Sequence, residues 1–164
     1  MSKPTAILIA DGSKDSIAKR VAELRPVLDE HLEIVAEHFD LAAPLDKSSA
    51  KYAVAMGGDG TILRAARLMG RRQLPVIGVN LGRLGFLADL PPEELAEALP
   101  QLASGRCRLV DHLMFDCSLL RAGKQLDTRL VLNEVSVLAG FPFAMLDVQL
   151  YVDDREHAGW FDRA

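Results

Sequence analysis

The sequence predicts an α/β protein: a doubly wound, mostly parallel sheet followed by an incomplete β-rich second domain. Three observations predict this class. Apolar runs of strand length alternate with helical patterns over residues 1–105, only strand-like runs follow over residues 106–164, and glycine-bearing loops come directly after two of the strands. Alternation is typical of a parallel sheet covered on both faces, whereas strands alone indicate a separate domain. We therefore place the domain boundary after residue 105.

The first elements are a buried strand and an amphipathic helix. Residues 5–10 are predicted to form this strand, which is apolar from Ala6 to Ala10, as in a strand covered on both faces. A turn follows, in which Ser13 is suited to be the helix N-cap. Apolar residues then recur at helical spacing: Ile17, Val21, Leu24 and Leu28. Pro26 is expected to kink or end this helix. Residues 32–39 read as the second strand and residues 42–50 as a loop.

The third strand leads into the most informative segment of the chain. This strand is predicted over residues 51–56, is apolar from Tyr52 to Met56, and runs directly into Gly57-Gly58-Asp59-Gly60-Thr61. A helix is predicted over residues 62–69, and Gly70 is placed to end it. A strand, a glycine loop and a helix start together favour the binding of anionic phosphate groups, because loop amides and the helix dipole both attract negative charge.

A second unit of the same kind follows. Residues 75–79 form a very apolar fourth strand, and Asn80–Phe86 is another glycine-bearing loop. Proline and glutamate residues at 91–94 open a further helix, where proline is tolerated and acids are favoured. That helix is expected to end near Gly105.

The remaining elements are predicted strands joined by turns. Residues 122–124 read as the turn of a hairpin, and Leu126–Ala139 as a strand. Residues 140–142 form the next turn, Met145–Val152 the next strand, and residues 153–154 the start of one more turn.

Composition excludes several classes of function. The chain has 164 residues, of which 49% are hydrophobic and 26% charged, as in ordinary globular proteins. The net charge is −4 and basic residues are interspersed with acidic ones, so we expect no nucleic-acid partner. No apolar run is long enough to cross a membrane and no secretory signal is present, so we expect no membrane association.

The cysteines indicate a reducing compartment. Cys107 and Cys117 are the only two, they form no CxxC pair, and we expect both to be buried free thiols of a cytoplasmic protein. The four histidines have no metal-ligand spacing with them: His31, His38, His112 and His157.

The Gly57–Thr61 segment combines close backbone approach with a carboxylate and a hydroxyl. It is neither a Walker A loop, because no lysine follows the glycines, nor a Rossmann fingerprint. A carboxylate in an anion loop is expected to orient a hydroxyl, take its proton or meet a metal ion. The alternative is a tight turn in which Gly57 and Gly58 adopt positive φ, Asp59 caps the helix and Thr61 fills its first turn.

Two further segments bear on the first. Asn80–Phe86 follows the next strand, so in a parallel sheet it lies at the carboxyl edge where ligands bind. Asn133 and Glu134 lie within an apolar strand-like run. Neighbours in a strand point to opposite faces, so both reach one ligand only if the strand bulges or twists. The alternative is a turn-forming Asn133 beside an exposed Glu134.

These motifs resemble those of NAD kinases, in order and in rough spacing. The segments that carry the resemblance are Gly57–Thr61 (GGDGT), Gly78–Leu87 (GVNLGRLGFL) and Leu132–Val135 (LNEV). GGDGT alone is also similar to loops of diacylglycerol and sphingosine-type lipid kinases and of phosphofructokinases, whereas GVNLGRLGFL is far more specific. The resemblance covers nearly the whole chain.

The resemblance implies a phosphofructokinase-like N-terminal domain, with NAD bound between it and the β-rich domain. It implies transfer of the γ-phosphate of ATP, or of a phosphate of inorganic polyphosphate, to the 2′-hydroxyl of the adenosine ribose of NAD. A divalent metal ion, Mg²⁺, would bridge the phosphates, with no dedicated protein ligands assigned. The full-length enzyme would be a homo-oligomer.

The resemblance also assigns site residues. Asp59 is the catalytic carboxylate, which accepts the proton of the 2′-hydroxyl or orients that group. The phosphate loop comprises Gly57, Gly58 and Thr61. The residues expected to contact NAD or ATP are Asp59, Gly60, Arg64, Phe86, Asn133, Glu134 and Arg163. For Phe86, expected to pack on the adenine, the alternative is a core residue. For Arg64, expected to reach a phosphate, it is a solvated helix position.

One part of the family pattern is missing. NAD kinases carry a DGL motif and a TPTGSTAY-like segment shortly after the hairpins, and this chain has neither. We expect a fragment of a longer protein, or a truncated member, with uncovered apolar strand faces and little or no activity alone. The alternatives are a lipid kinase, which the net charge and the LGRLGF loop disfavour, and a non-catalytic nucleotide-binding module.

Overall fold

The computed structural model describes residues 2–45, 50–82, 85–142, 145–153 and 155–157. Its centre is a sheet of four parallel strands in the order β2-β1-β3-β4. The strands of this sheet are β1 (Thr5–Ala10), β2 (Glu33–His38), β3 (Tyr52–Gly57) and β4 (Val76–Asn80). The helices are α1 (Asp15–His31), α2 (Asp59–Met69) and α3 (Leu95–Ala103), the last preceded by a 3₁₀ turn at Pro92–Glu94. The predicted α/β class with a parallel sheet is confirmed.

Helices cover both faces of the sheet, as a doubly wound fold requires. Side chains alternate along β1, so Leu8 joins a cluster with the buried residues of α1 and α3, whereas Ile7 and Ile9 join a second cluster with those of α2. All three are 0% exposed. Burial on both faces explains why β1 is apolar from Ala6 to Ala10 rather than alternating.

The first helix differs from the prediction at its N-cap, and it does not end at Pro26. Its N-cap is Lys14, not Ser13, and the cap makes no side-chain hydrogen bond. Ser13 instead donates through its backbone N–H and its hydroxyl to Asp11 Oδ1, at 3.2 and 2.5 Å. Pro26 lies inside the helix, which continues to His31. Gly70 does end α2, with φ of 60°.

The hairpin was predicted correctly and the later strands were not. β5 (Met114–Arg121) pairs antiparallel with β6 (Lys124–Leu132), through a turn whose residues Ala122 and Gly123 have φ of 49° and 75°. β6 ends at Leu132, so the strand predicted to Ala139 is too long. The strand predicted over 145–152 is reduced to β7 (Leu150–Val152), which pairs with β8 (Arg155–His157).

The chain divides into two compact units, Met1–Asn133 and Glu134–Ala164. The first unit therefore includes the β5–β6 hairpin, which Arg71 ties to the end of α2 through Asp116. A domain boundary after residue 105 stays a prediction.

Surface exposure changes after α3. Large apolar side chains of the hairpin are exposed, among them Leu119, Leu120 and Leu126, in keeping with the expectation of uncovered apolar strand faces. The cysteines are free thiols, but Cys107 is exposed and Cys117 half-exposed, so their predicted burial is wrong. In the described part of the chain, no helix is long and apolar enough to span a membrane.

Candidate functional site

Two glycine-bearing loops meet at the carboxyl edge of the sheet. The GGDGT loop (Gly57–Thr61) ends β3, and the β4 loop (residues 81–88, of which the structure describes 81–82 and 85–88) follows the neighbouring strand. Gly57 is in register with Asn80, and its carbonyl accepts the N–H of Leu81 at 2.9 Å. The prediction that both loops lie at one sheet edge is confirmed, and this is where open α/β sheets bind ligands.

The GGDGT loop is tight because β3 runs into α2 without an intervening turn. Gly58 is the N-cap of α2, and its carbonyl accepts the N–H of Thr61 at 2.9 Å. A Cβ on Gly57 would lie 2.9 Å from the Cβ of Thr61, so only glycine fits there. Neither Gly57 nor Gly58 has positive φ. The tight-turn alternative is therefore wrong in its backbone conformation.

Asp59 is the first residue of α2, but it does not cap its own helix. Its carboxylate crosses to the β4 loop, 27 to 29 residues further along the chain. The N–H of Phe86 donates to Oδ2 at 2.8 Å, and the N–H groups of Leu87 and Ala88 donate to Oδ1 at 3.0 Å each. We call these three donors the amide cradle. The capping role given to Asp59 in the tight-turn alternative is thus wrong as well.

The amide cradle fixes the charge state of Asp59. Hydrogen bonds from the backbone N–H groups of Ala88, Phe86 and Leu87, in that order of effect, lower the pKa of the Asp59 carboxyl below its ordinary value of 3.8. Donors to a carboxylate stabilise the ionised form. The position in the first turn of α2 favours the same form, because the helix dipole attracts negative charge there. Asp59 is therefore an anion at neutral pH.

The β4 loop approaches Asp59 closely and leaves an aromatic ring in solvent. A Cβ on Gly85 would lie 2.6 Å from Cγ of Asp59, so the loop can pass this carboxylate only with glycine at position 85. The next residue, Phe86, is 99% exposed. The alternative that Phe86 is a core residue is wrong.

Asn80 is a residue of this site to which the sequence pattern assigned no role. It is the last residue of β4 and is 8% exposed. Its Nδ2 donates to the carbonyl of Ala88 at 3.0 Å, and its Oδ1 accepts the N–H of Gly82 at 2.9 Å. An amide side chain at the end of an apolar strand, two residues before the first glycine of the loop, is the signal that would have identified it.

The other end of the sheet edge holds a cavity lined by Arg64. This cavity, of about 790 Å³, lies between the loops after β1 and β2 and one side of α2. Arg64 is exposed, and its Nη1 lies 3.7 Å from Oδ2 of Asp11. A phosphate in this cavity would compete with Asp11 for the guanidinium.

Gly60, in the first turn of α2, is exposed, and a Cβ there would meet nothing within 4 Å, so the free protein gives no steric reason for glycine at this position.

The remaining predicted site residues lie beyond the two loops. Asn133 and Glu134 follow β6 instead of lying within a strand; both are exposed, and Asn133 has φ of 78°. This is the conformation of the turn-forming alternative. Among the described residues, no hydrogen bond joins Asn133 to either glycine loop. Glu134 begins the second unit. Arg163 lies outside the described residues. The ligand roles of these three stay predictions.

The described side chains that could hold a metal ion are not clustered at this site. Over the described residues, no group of three or more His, Cys, Asp or Glu side chains is arranged to hold a metal ion.

Comparison with known proteins identifies relatives over most of the chain. Residues 8–107 match the family described as "ATP-NAD kinase N-terminal domain". The chain is 37% identical over 150 residues to an NAD kinase of Rhodopirellula baltica, covering 92% of this chain and 48% of that protein. It is 35% identical over 160 residues to an NAD kinase of Methylococcus capsulatus, covering 91% and 55%. The chain spans about half the length of the curated relatives it matches.

A solved structure supports the fold. The crystal structure of yeast NADH kinase complexed with NADH matches with a TM-score of 0.61 at 18% identity, over 80% of this chain and 47% of that one. At this identity the match establishes the shared architecture alone.

Proposed function

The chain belongs to the NAD kinase family, and we propose that it is part of an enzyme that phosphorylates the 2′-hydroxyl of the adenosine ribose of NAD. The phosphoryl donor is ATP or inorganic polyphosphate. One observation carries this proposal: the Asp59 carboxylate joins the GGDGT loop to the β4 loop through three backbone amides. Two of the three segments that carry the family resemblance therefore form one structural unit around one carboxylate.

We propose that Asp59 orients the acceptor hydroxyl. A carboxylate offers about four lone-pair sites, two on each oxygen. Oδ1 accepts two N–H groups, whereas Oδ2 accepts that of Phe86 alone among the described residues. The second lone pair of Oδ2 is thus available for the 2′-hydroxyl. An anion with a lowered pKa is a weak base, so its contribution is direction more than proton removal.

The transfer needs little else from the protein. The bond between the γ-phosphorus and its bridging oxygen breaks, the bond between the 2′ oxygen and that phosphorus forms, and the hydroxyl proton is finally released to water. Phosphoryl transfer of this kind depends mainly on positioning and charge neutralisation. Placing the hydroxyl oxygen in line with the leaving oxygen is the task we assign to Asp59.

We propose that the donor phosphates lie over Gly57 and Gly58 at the start of α2, with Thr61 beside them and Arg64 within reach. A helix N-terminus favours phosphate binding. Mg²⁺ would bind mainly to the donor phosphates and water, as it does in many phosphoryl-transfer sites. We assign it no ligand on this chain, and no step depends on its geometry.

The acceptor side is proposed from the family pattern. The exposed ring of Phe86 is suited to stack on the adenine, next to the amide that holds Asp59. Gly60 would leave room for the ligand, and Asn133, Glu134 and Arg163 would contact NAD in the whole protein. We further propose that the enzyme is homo-oligomeric and cytoplasmic. The two free thiols support the cytoplasmic location.

The test compares two proteins: the 164-residue chain, and the product of the longest reading frame that contains it. Each is incubated with NAD, Mg²⁺ and either ATP or polyphosphate, and NADP⁺ is measured with an NADP-specific dehydrogenase. We expect NADP⁺ from the longer protein and little or none from the chain alone. Phosphorylation of diacylglycerol or sphingosine in vesicles, without NADP⁺, would replace this proposal with a lipid kinase. Nucleotide binding without turnover of any acceptor would replace it with a non-catalytic module.

A further inference from the structure

The buried side chain of Asn80 has no part in the function proposed so far. Among the residues that the structure describes, Asn80 has the only buried polar side chain. Burying a carboxamide costs free energy unless its donors and acceptors are satisfied. Here Nδ2 and Oδ1 both bond to backbone groups of the β4 loop, at 3.0 and 2.9 Å. The burial is therefore compensated by contacts that shape this loop.

The two contacts of Asn80 fall on opposite ends of the β4 loop. Gly82, near its start, donates to Oδ1, and Ala88, at its end, accepts from Nδ2. The strand and the segment after the loop are also held together, because the N–H of Asn80 donates to the carbonyl of Leu90 at 2.8 Å. One side chain thus joins the beginning and the end of the segment that passes Asp59.

Ala88 connects Asn80 to Asp59. Its carbonyl accepts Nδ2 of Asn80, while its own N–H donates to Oδ1 of Asp59 at 3.0 Å. Ala88 is 0% exposed, so water does not readily replace either bond. Displacement of Ala88 would move an N–H group that holds the carboxylate. The adjoining donors of Phe86 and Leu87 would move with it, since they are consecutive in the chain.

We propose that Asn80 is a positioning residue for Asp59: its buried carboxamide fixes Gly82 and Ala88, and so sets the amide cradle that aims the carboxylate. Asn80 itself need not touch any ligand. That Asp59 acts on a substrate hydroxyl rests on the proposed function, whereas the coupling of Asn80 to Asp59 does not. The two parts can therefore be tested separately.

The first test uses the unmodified 164-residue chain. NMR is used to follow the side-chain carboxyl carbon of Asp59, the carboxamide protons of Asn80 and the amide proton of Ala88 through an acid titration. We expect the Asn80 carboxamide and the Ala88 amide to shift with the same midpoint as the Asp59 carboxyl. A carboxamide signal that does not change while Asp59 titrates would overturn the coupling.

The second test uses two variants and a matched control. Asn80→Ala removes the side-chain bonds to Gly82 and Ala88, and Asn80→Leu removes them at nearly the same side-chain volume and without adding a charge. In both we expect the Asp59 midpoint to rise towards 3.8, its ordinary value, and the Ala88 amide to exchange at least about tenfold faster. The control is Val79→Ala, which shortens the buried side chain next to Asn80 on β4. We expect it to lower Tm without moving the Asp59 midpoint. An unchanged midpoint in the Asn80 variants would refute the proposal.

The third test measures catalysis in the longer protein. For Asn80→Ala we expect kcat to fall at least about tenfold while KM for the phosphoryl donor stays within about twofold, because the loss lies in orientation. An unchanged kcat would remove Asn80 from the positioning of Asp59. Absence of NADP⁺ formation in the unmodified longer protein would refute the proposed function instead, and the NMR tests would still decide the coupling. If an Asn80 variant fails to fold, the titration of the unmodified chain decides it.

Discussion

Gly85 lies against the carboxylate of Asp59 so closely that a Cβ at position 85 would be 2.6 Å from Cγ of Asp59. The residue that follows Gly85 supplies the N–H that binds Oδ2. The missing side chain is thus the condition under which the β4 loop can bind the carboxylate through its backbone.

Replacing Gly85 with alanine is therefore expected to push the β4 loop away from Asp59. In the longer protein we expect kcat to fall about 10²-fold, which is the cost of a misplacement of about 1 Å in a reacting group. The measurement is steady-state NADP⁺ formation. The matched control is Gly82→Ala in the same loop, where a Cβ would lie at an ordinary 3.9 Å from Asn80 Oδ1. Equal losses in the two variants would contradict the specific role of Gly85.

Replacing Asp59 with asparagine is expected to lower kcat by at least about 10²-fold while nucleotide affinity changes little. The carboxamide has one acceptor oxygen and would present an NH₂ group to one side of the amide cradle, so the acceptor hydroxyl loses its guide. Turnover and binding are measured in the longer protein by NADP⁺ formation and calorimetry. Unchanged turnover would remove Asp59 from the mechanism.

The lowered pKa of Asp59 predicts a specific dependence of stability on pH. A carboxyl whose folded pKa lies below its unfolded value stabilises the fold fully above about 3.8, and this contribution is lost as the pH falls through the folded pKa. The Tm difference between the unmodified chain and Asp59→Asn should thus shrink on acidification. Asp11 and Asp127, whose pKa values are also lowered, are present in both proteins and cancel in the difference. A constant difference would contradict the assignment.

Arg64 offers a test of where the donor phosphates lie. Replacing it with alanine removes a cation from the cavity beside Asp11, and we expect KM for ATP to rise about tenfold with a smaller effect on kcat. The control is Arg20→Ala, which removes an exposed α1 arginine paired with Glu23. If both variants leave KM unchanged, Arg64 is a solvated helix residue.

The central strand supports both loops, and its packing can be tested alone. Leu8 of β1 is 0% exposed. Replacing it with alanine should lower the free energy of unfolding by about 2–5 kcal/mol, because buried apolar contacts are lost and a cavity remains. The control is Leu113→Ala, at a position 84% exposed, which should change stability by less than about 0.5 kcal/mol. Urea denaturation of the 164-residue chain measures both. Equal effects would show that the sheet is not the stabilising core.

The sequence predicted those parts of the fold that depend on local patterns. β1 was predicted at its observed bounds because Thr5 is followed by five apolar residues, and strands buried on both faces leave that signature. The end of β6 was missed because the apolar pattern continues past Asn133, whose left-handed φ of 78° ends the strand. An asparagine signals such a conformation only weakly.

The site was predicted in its location and not in its contacts. GGDGT and the β4 loop were both assigned to the carboxyl edge, because parallel strands place their ends together. The partners of Asp59 are backbone N–H groups 27 to 29 residues away, and backbone groups leave no mark in a sequence. Asn80 was quoted in a motif without a role, since its importance depends on burial and on two contacts that only the fold creates.

The amide cradle consists of main-chain atoms only. Every residue except proline carries the same N–H, so a substitution at the exposed Phe86 can alter the side chain without altering the donor that faces Asp59. The residue at position 86 can therefore change under selection for ligand contact while the charge state of Asp59 stays the same. In evolutionary terms, this loop separates two tasks. The side chain at position 86, which is suited to contact a ligand, can vary, whereas the bond to Asp59 comes from the backbone N–H, which a substitution at that position retains.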